Sequence, residues 1–347
     1  MNFEKYNDKG LTGLANLGNT CFINSCLQVL SHTYELNDFL NNKNYKKRLQ
    51  NKFDSALLVE WDNLRTLMWS ENCIISPAKF LKTIQKLAHV KNVDIFIGYA
   101  QNDVSEFLLF IIDCFHTSLS REVNMSISGV AFNNTDKIAI QCFETIKRMY
   151  SKEYSEVWNI FYGVHISQLV CLKTGDVLSS SPEPYFMINL PIPSNNKSPS
   201  LLNCFDLYVE GEILEGENAW YNEKTGQKQN VKKSISYWSL PNILVIDIKR
   251  FNAKNVKNQI LVTFPLEDLN LTKYVIGYKK ESYIYDLYGI CNHSGGVCGG
   301  HYTAFVKNAN GKWYHFNDTN VSEIKNNEQL ITPKAYCFFY RKRVNNK

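Results

Sequence analysis

The strongest constraint on the fold is a change of hydrophobic periodicity partway along the chain. Residues 19 to about 155 show mostly the helical period, whereas residues 157–340 show mostly the alternation typical of β-strands. The clearest helical stripe runs from Val104 to Phe115, where apolar residues recur every three or four positions. Because the helices precede the strands instead of alternating with them, this order predicts an α+β protein with segregated helical and sheet layers.

Local signals place several of these elements. One helix is predicted to begin near Asn19 or Thr20, either of which can cap it, and another begins at Ser76-Pro77. Strand signals then dominate, in segments 162–171, 185–190, 243–248, 283–291, 301–307, 312–316 and 335–341. Two stretches rich in Ser and Pro, 179–184 and 191–199, predict loops.

Composition narrows the class of protein and its partners. Apolar residues make up 44% of the 347 residues and charged residues 20%, so general disorder is not expected. A net charge of +5 is too small to indicate a nucleic-acid partner. The chain begins without an apolar signal region, and its longest apolar run, residues 107–112, is far shorter than a membrane span. We therefore expect an intracellular protein, cytoplasmic or nuclear or both, that binds neither nucleic acid nor membranes.

The segment GLANLGNTCFINSCLQ, residues 13–28, concentrates catalytic chemistry. It places Cys21 in the first turn of the predicted helix, where unpaired N–H groups should lower the thiol pKa from about 8.5. Gly18 lets the preceding loop turn tightly. Asn16 is close enough to aim its amide at a reacting carbonyl, a contact worth ~2.7–4 kcal/mol. A single cysteine is usually just a small buried side chain, which is the interpretation we prefer for Cys26.

A second segment, HSGGVCGGHYTAFV at residues 293–306, offers the base that a thiol nucleophile needs. His301 begins a predicted strand directly after a glycine loop, and His293 is the weaker candidate for the base. A hairpin with the next strand would bring Asn317 or Asp318 beside His301 to orient the imidazole. The two segments together predict a cysteine-dependent hydrolase with Cys21 as nucleophile and His301 as base.

These segments resemble the two catalytic boxes of the ubiquitin-specific proteases, a papain-like family of cysteine peptidases. The family's boxes read roughly GLxNLGNTCYxNSxLQ and GGHYxAxV, and this chain departs from the first at Phe22. The segments QNDVSEFL (101–108) and LPNILVIDIKRF (240–251) resemble the family's QQDAHEFL and LPxxLxxxLKRF. Because all four occur in the family's order between residues 11 and 341, the chain is identified as a member.

The resemblance implies a papain-like α+β fold with the thumb, palm and fingers of this family. It implies one catalytic domain over residues 1–347, with a mainly helical thumb (11–155), β-rich fingers (156–240) and a β-rich palm (241–341). The implied reaction is hydrolysis of the peptide or isopeptide bond after the C-terminal glycine of ubiquitin. The implied partners are ubiquitin and its conjugates, bound by a monomeric enzyme.

The family's catalytic positions fall on five residues of this chain. Cys21 takes the nucleophile's place, His301 that of the base, and Asn16 the position that stabilises the oxyanion. The third catalytic position is Asn317. Because Asp318 follows it, either of the two could orient His301, and a neutral Asn also serves in papain-like triads.

The resemblance also assigns substrate contacts. Asp103 and Glu106 match the acidic residues that contact the arginines of the ubiquitin tail, although a solvated acidic face is the ordinary interpretation of such a pair. Tyr302 matches the residue that narrows the cleft so that only Gly-Gly fits.

A metal site is expected to be missing. Many relatives carry a zinc ribbon of two CxxC pairs in the fingers. Here segments 171–174 and 222–225 stand at those positions and keep only the thiolate of Cys171. Since Asn and Thr side chains do not make a structural zinc site, we expect no metal and no other cofactor.

Two alternative functions remain open at this point. One is the same chemistry on another ubiquitin-like modifier, whose tail would be recognised by similar residues. The other is a catalytically silent scaffold that binds ubiquitin. The presence of Cys21, His301 and the Asn317-Asp318 pair argues against the scaffold.

Overall fold

The computed structural model describes residues 3–49, 52–278, 283–296 and 299–343, which form eight α-helices and sixteen β-strands. The helices are Cys21–Ser31 (α1), Tyr34–Asn41 (α2), Phe53–Ser70 (α3), Ala78–Lys91 (α4), Val104–Leu119 (α5), Asn134–Tyr150 (α6), Glu156–Phe161 (α7) and Leu201–Glu210 (α8). The strands are Gly13–Leu14 (β1), Ile74–Ile75 (β2), Gly163–Cys171 (β3), Val177–Tyr185 (β4), Met187–Leu190 (β5), Glu212–Leu214 (β6), Trp220–Asn222 (β7), Gln227–Gln229 (β8), Val231–Ser239 (β9), Ile243–Ile248 (β10), Leu269–Asn270 (β11), Ile284–Gly296 (β12), Gly299–Lys307 (β13), Trp313–Asn317 (β14), Asn320–Ile324 (β15) and Ala335–Lys342 (β16).

A large sheet contains most strands of the last third of the chain. Its order is β15-β14-β13-β12-β16-β10-β5, with β11 paired to β12. Strand β5 runs parallel to β10, and the other pairs along this order are antiparallel. A second sheet has the order β4-β3-β9-β6, and β1-β2 and β7-β8 form separate two-stranded sheets. Seven of the eight described helices precede both large sheets in the chain, as expected for an α+β protein.

Helix α1 lies between the helical layer and the large sheet. All of its residues are buried, and they pack both on α5 and on strands β12 to β14. Strand β10 is buried on both faces: Val245 points into the core shared with the helices, and Ile246 into the core on the opposite side. Because Cys21 is the first residue of α1, the proposed nucleophile sits where the two layers meet.

Several predicted elements are confirmed with small changes at their ends. Helices α4 and α5 begin directly after Pro77 and Asp103, and the predicted hairpin is formed by β13 and β14. Thr20 occupies the N-cap of α1, but its hydroxyl makes no capping bond and instead accepts the N–H of Leu17 at 2.9 Å.

Two local predictions are wrong. The loop predicted at 179–184 is part of β4, an edge strand, where Pro182 and Pro184 are tolerated because one side of the strand needs no N–H donors. The strand predicted at 185–190 is divided at Phe186 between β4 and β5, which belong to different sheets.

Helix α8 lies inside a stretch predicted as mostly strand. Ser200 and Asn203 form a reciprocal capping box at its start, a signal that was readable from the sequence.

The region matching the zinc ribbon is organised by hydrogen bonds. Asn222 ends β7, where its Oδ1 accepts the N–H of Lys224 at 3.0 Å and its Nδ2 donates to Gln229 at 2.9 Å. Within the described ranges, no group of three or more His, Cys, Asp or Glu side chains could hold a metal ion. The absence of zinc, the boundaries of thumb, fingers and palm, the monomeric state and the compartment all stay predictions. No helix in the described part of the chain has the length and apolarity to cross a membrane.

Candidate functional site

Cys21 begins α1 with a nearly buried side chain, 3% exposed. Burial, the largest cause, raises the pKa of its thiol above the ordinary value, and the charge of Asp318 raises it further. The backbone N–H groups of Tyr302 and Phe22 act in the opposite direction. The predicted lowering of this pKa is therefore wrong for the free protein, because desolvation of the thiolate outweighs the N–H groups around it. A thiol held protonated in this way needs a base.

His301 lies on β13, directly before the Tyr302 whose N–H reaches the Cys21 sulfur. Its Nε2 is 2.7 Å from Oδ1 of Asn317, the last residue of β14. Since an amide oxygen only accepts, Nε2 carries the proton and Nδ1 is left as the basic nitrogen of the neutral ring. Of the two candidates to orient His301, the structure places Asn317 in contact with it. Residues 297 and 298 of the preceding glycine loop lie outside the described part of the chain.

Asp318 faces the loop before α1. Its backbone has a left-handed φ of +50°, which turns the chain sharply at the end of β14. One carboxylate oxygen accepts Nδ2 of Asn24 at 2.7 Å, and the other accepts Nδ2 of Asn16 at 3.0 Å. Its backbone carbonyl accepts the N–H of Leu14 at 2.9 Å. Asp318 therefore ties the end of β14 to the residues that approach the nucleophile.

Asn16 is held at both ends of its amide group. Its Oδ1 accepts the backbone N–H groups of Gly18 at 3.1 Å and Thr20 at 3.2 Å, while Nδ2 donates to Asp318. Gly18 has a φ of +99°, which a glycine adopts without strain. Because an amide nitrogen carries two protons, one remains for a reacting oxygen. The exposed position of Asn16 leaves room for such a ligand.

Gln101 contacts the strand that carries His301, which the sequence did not reveal. Its Nε2 donates to the carbonyl of Gly300 at 2.5 Å, and the N–H of Gly300 donates back to Oε1 at 2.8 Å. A Cβ on Gly300 would lie 2.2 Å from Nε2 of His293, so glycine is required at this close approach. The paired bonds fix the strand immediately before His301. The only sequence signal was the place of Gln101 at the start of the QNDVSEFL segment.

His293, the weaker candidate for the base, packs against Tyr302 and contacts Lys257. It pairs across the sheet with Tyr302, and the two ring centroids are 4.5 Å apart. Its Nδ1 lies 2.9 Å from Nζ of Lys257. Burial, together with the charge of Lys257, lowers its pKa to about 4. His293 is therefore a neutral ring that packs against the ring of Tyr302.

A groove of about 380 Å³ contains the substrate residues proposed from sequence, Asp103, Glu106 and Tyr302, together with Tyr336. Asp103 caps α5 by accepting the N–H of Ser105 at 2.7 Å, and its other oxygen accepts the Tyr336 hydroxyl at 2.5 Å. Glu106 is exposed in the first turn, where partial burial and the charge of Asp103 raise its pKa. Two carboxylates in one groove suit a cationic ligand.

Known proteins resemble this chain over nearly its whole length. A family model described as Ubiquitin carboxyl-terminal hydrolase matches residues 12–340. Human ubiquitin carboxyl-terminal hydrolase 2 is 34% identical over 346 residues, which cover 96% of this chain and 55% of the human protein. Human ubiquitin carboxyl-terminal hydrolase 21 is 31% identical over 360 residues, covering 96% of this chain and 61% of that protein. The chain thus spans little more than half the length of these relatives.

Solved structures share the fold. The chain resembles one in the SAGA Ubp8/Sgf11/Sus1/Sgf73 DUB module bound to ubiquitin aldehyde, with a TM-score of 0.73 and 25% identity. The likeness covers 98% of this chain and 71% of the other. A yeast SAGA DUB module has the same TM-score and identity over 100% of this chain and 72% of the other. The predicted α+β fold class is confirmed.

Proposed function

Because this chain belongs to the ubiquitin carboxyl-terminal hydrolase family, we propose that it is a thiol-dependent hydrolase that cleaves after the C-terminal glycine of ubiquitin. Its proposed substrates are ubiquitin conjugates joined by peptide or isopeptide bonds. One observation carries the proposal. The buried thiol of Cys21 contacts the strand on which His301 is held by Asn317, and Asn16 is fixed beside the same helix start.

In the proposed reaction, Nδ1 of His301 takes the thiol proton as the Cys21 sulfur attacks the glycine carbonyl carbon. The carbonyl oxygen becomes an oxyanion, to which Asn16 donates its remaining N–H. Collapse of this intermediate breaks the C–N bond, and the imidazolium gives its proton to the leaving amine. Water, deprotonated by His301, then hydrolyses the thioester and releases the ubiquitin carboxylate.

The two residues after β14 have different proposed roles. Asn317 holds the Nε2–H tautomer of His301, which keeps Nδ1 basic and correctly oriented. Asp318 acts on the other side of the site by positioning the amide of Asn16, with Asn24 holding its second oxygen. Asp318 is thus a positioning residue for the oxyanion donor.

The groove is the proposed site for the extended tail of ubiquitin. Its arginines would pair with Asp103 and Glu106, and Tyr302 would narrow the passage toward Cys21. Packing of Tyr302 on the neutral ring of His293 stabilises this narrowing.

Neutral replacements test tail recognition. We expect Asp103→Asn and Glu106→Gln each to raise KM for a ubiquitin substrate about tenfold or more, the size of one lost charge-assisted hydrogen bond. Since neither group touches the reacting atoms, kcat should change little. Asn also caps helices well, so Asp103→Asn should leave α5 intact. Asp113→Asn, an exposed change on the same helix, is the control; equal KM effects in all three variants would contradict this role.

The function itself is tested by turnover of ubiquitin carrying a fluorophore on its C-terminal carboxylate, beside matched ubiquitin-like proteins. We expect release of the fluorophore from ubiquitin at a far higher kcat/KM than from any other modifier. Turnover restricted to another modifier would indicate the same chemistry on a different substrate. Ubiquitin binding without turnover of any substrate would indicate a scaffold and refute the proposed hydrolase.

A further inference from the structure

Asp247 is a buried carboxylate that the proposed reaction does not use. It lies in β10, where its register neighbours are Cys337 on β16 and Asn189 on β5. The surrounding strand is otherwise apolar, and the side chain is on the same face as Val245, toward the helical layer. Burial of an acidic group among apolar neighbours is unfavourable unless something compensates for it. Its contacts therefore indicate what it does.

A single residue joins Asp247 to the groove. The Ser105 hydroxyl donates to Oδ1 of Asp247 at 2.6 Å, while the Ser105 backbone N–H donates to Oδ1 of Asp103 at 2.7 Å. Both donors belong to the first turn of α5. Asp247 therefore lies directly behind the carboxylate proposed to receive the cationic tail.

Asp247 changes its ionisation state near neutral pH. Burial, the largest cause, raises its pKa to about 7. The hydrogen bond from Ser105 opposes this rise, and the charge of Asp103 adds to it. The two cations that directly follow β10, Lys249 and Arg250, also oppose it. Arg250 nevertheless donates its resolved hydrogen bonds to backbone carbonyls. The titratable groups facing Asp247 are, by element, Asp103 of α5, Lys249 and Arg250 after β10, Tyr302 of β13, and Tyr336 and Cys337 of β16.

We propose that Asp247 is a positioning residue for tail binding: it gives up its proton to solvent when a cationic peptide tail binds at Asp103, and its charge then strengthens that binding. The inference rests on the proposed function, since the arginines of the ubiquitin tail are the cations expected in the groove. A cation at Asp103 offsets the charge of that carboxylate, which adds to burial in keeping Asp247 protonated. By linkage, the ionised Asp247 must favour the cation by the same factor.

This coupling has a defined sign. In the free protein Asp247 is protonated below about pH 7, as its raised pKa requires, and in the complex it ionises at a lower pH. Ubiquitin affinity should therefore rise as the pH approaches about 7 from below and level off above it, by about tenfold in total for each pKa unit by which the tail lowers the pKa of Asp247. With Asp247→Asn this part of the pH dependence should vanish, and affinity above pH 7 should be lower than with Asp247.

Calorimetry of ubiquitin binding tests the coupling. Two variants of the chain are compared. Both carry Cys21→Ala so that no turnover occurs, and one also carries Asp247→Asn. Titration at pH 7 in phosphate and in Tris, which differ in ionisation enthalpy, gives the number of protons released. We expect a larger release with Asp247 than with Asn at this position. Equal release and equal pH dependence of affinity would overturn the proposal.

A second variant covers the case in which Asp247→Asn fails to fold. Ser105→Ala removes the hydrogen bond that stabilises the ionised carboxylate of Asp247, so the pH at which ubiquitin affinity rises should move upward. If the midpoint of that rise in affinity stayed at the same pH, the proposal would also be overturned. If the Cys21→Ala protein does not bind ubiquitin at any pH, the proposed function fails instead. The two failures are therefore distinguishable.

Discussion

Cys21→Ala is expected to lower the hydrolysis of a ubiquitin C-terminal amide by at least about 10⁴-fold, because removal of a covalent nucleophile leaves only binding and the oxyanion donor. Ubiquitin affinity should be retained, since the groove residues Asp103, Glu106 and Tyr302 do not depend on the thiol. The measurement is single-turnover hydrolysis together with a binding titration.

Cys73→Ala is the matched control for this change. Cys73 is exposed and lies outside the groove, so its replacement should leave kcat and KM unchanged. Hydrolysis that survives Cys21→Ala would show that another group is the nucleophile. A loss of activity in both variants would point to a general effect of cysteine replacement.

The second large effect is expected at Asp318. Asp318→Ala should lower kcat by about 10²–10³-fold, the size of a lost oxyanion donor, because Asn16 would no longer be held in place. Asn16→Ala should cost a similar factor. If Asp318 acts through Asn16, the double variant should be little worse than either single variant, since the effects of residues that act as a unit do not add.

Asn317→Ala provides the contrast in the same experiment. It should lower kcat by releasing the imidazole of His301, and its effect should multiply with that of Asn16→Ala because the two residues serve different groups. The alternative is that Asp318 acts on the base, His301. In that case the effects of Asp318→Ala and Asn16→Ala would multiply fully, and Asp318→Ala would shift the pH profile of kcat/KM.

The sequence identified those parts of the site that follow from short-range geometry. The short separation of the two strand segments brings the end of β14 close to His301 in a hairpin. A helix that begins at Cys21 surrounds that residue with backbone N–H groups. The choice between Asn317 and Asp318 could not be made in this way. It depends on the left-handed turn at Asp318, which directs the second side chain toward Asn16.

Contacts between distant segments were not predictable from a single sequence. Gln101 and Gly300 are separated by 199 positions, and nothing in either segment specifies the other as partner. The sign of the Cys21 pKa shift was missed for a related reason. It is decided by how deeply α1 is buried between two layers, a tertiary property that local helix signals do not report.

The fold was predictable at the level of its class and less so in detail. Separation of helical and strand periods was sufficient for the α+β class. The sequence predicts a loop where β4 lies, because a proline-rich segment can be an edge strand only if the pairing of the strands leaves it at an edge. It predicts no helix where α8 lies, because strand signals dominate that part of the chain. Asp247 interrupts an otherwise apolar strand, and its partner Ser105 lies 142 positions away in the chain.

The most direct test of the proposed hydrolase is covalent labelling by ubiquitin that carries an electrophile in place of its C-terminal carboxylate, followed by peptide mapping. We expect one adduct per chain, located on Cys21, absent from Cys21→Ala and undiminished in Cys73→Ala. An adduct on a different cysteine, or labelling that persists in Cys21→Ala, would contradict the assignment of Cys21 as the nucleophile of a ubiquitin hydrolase.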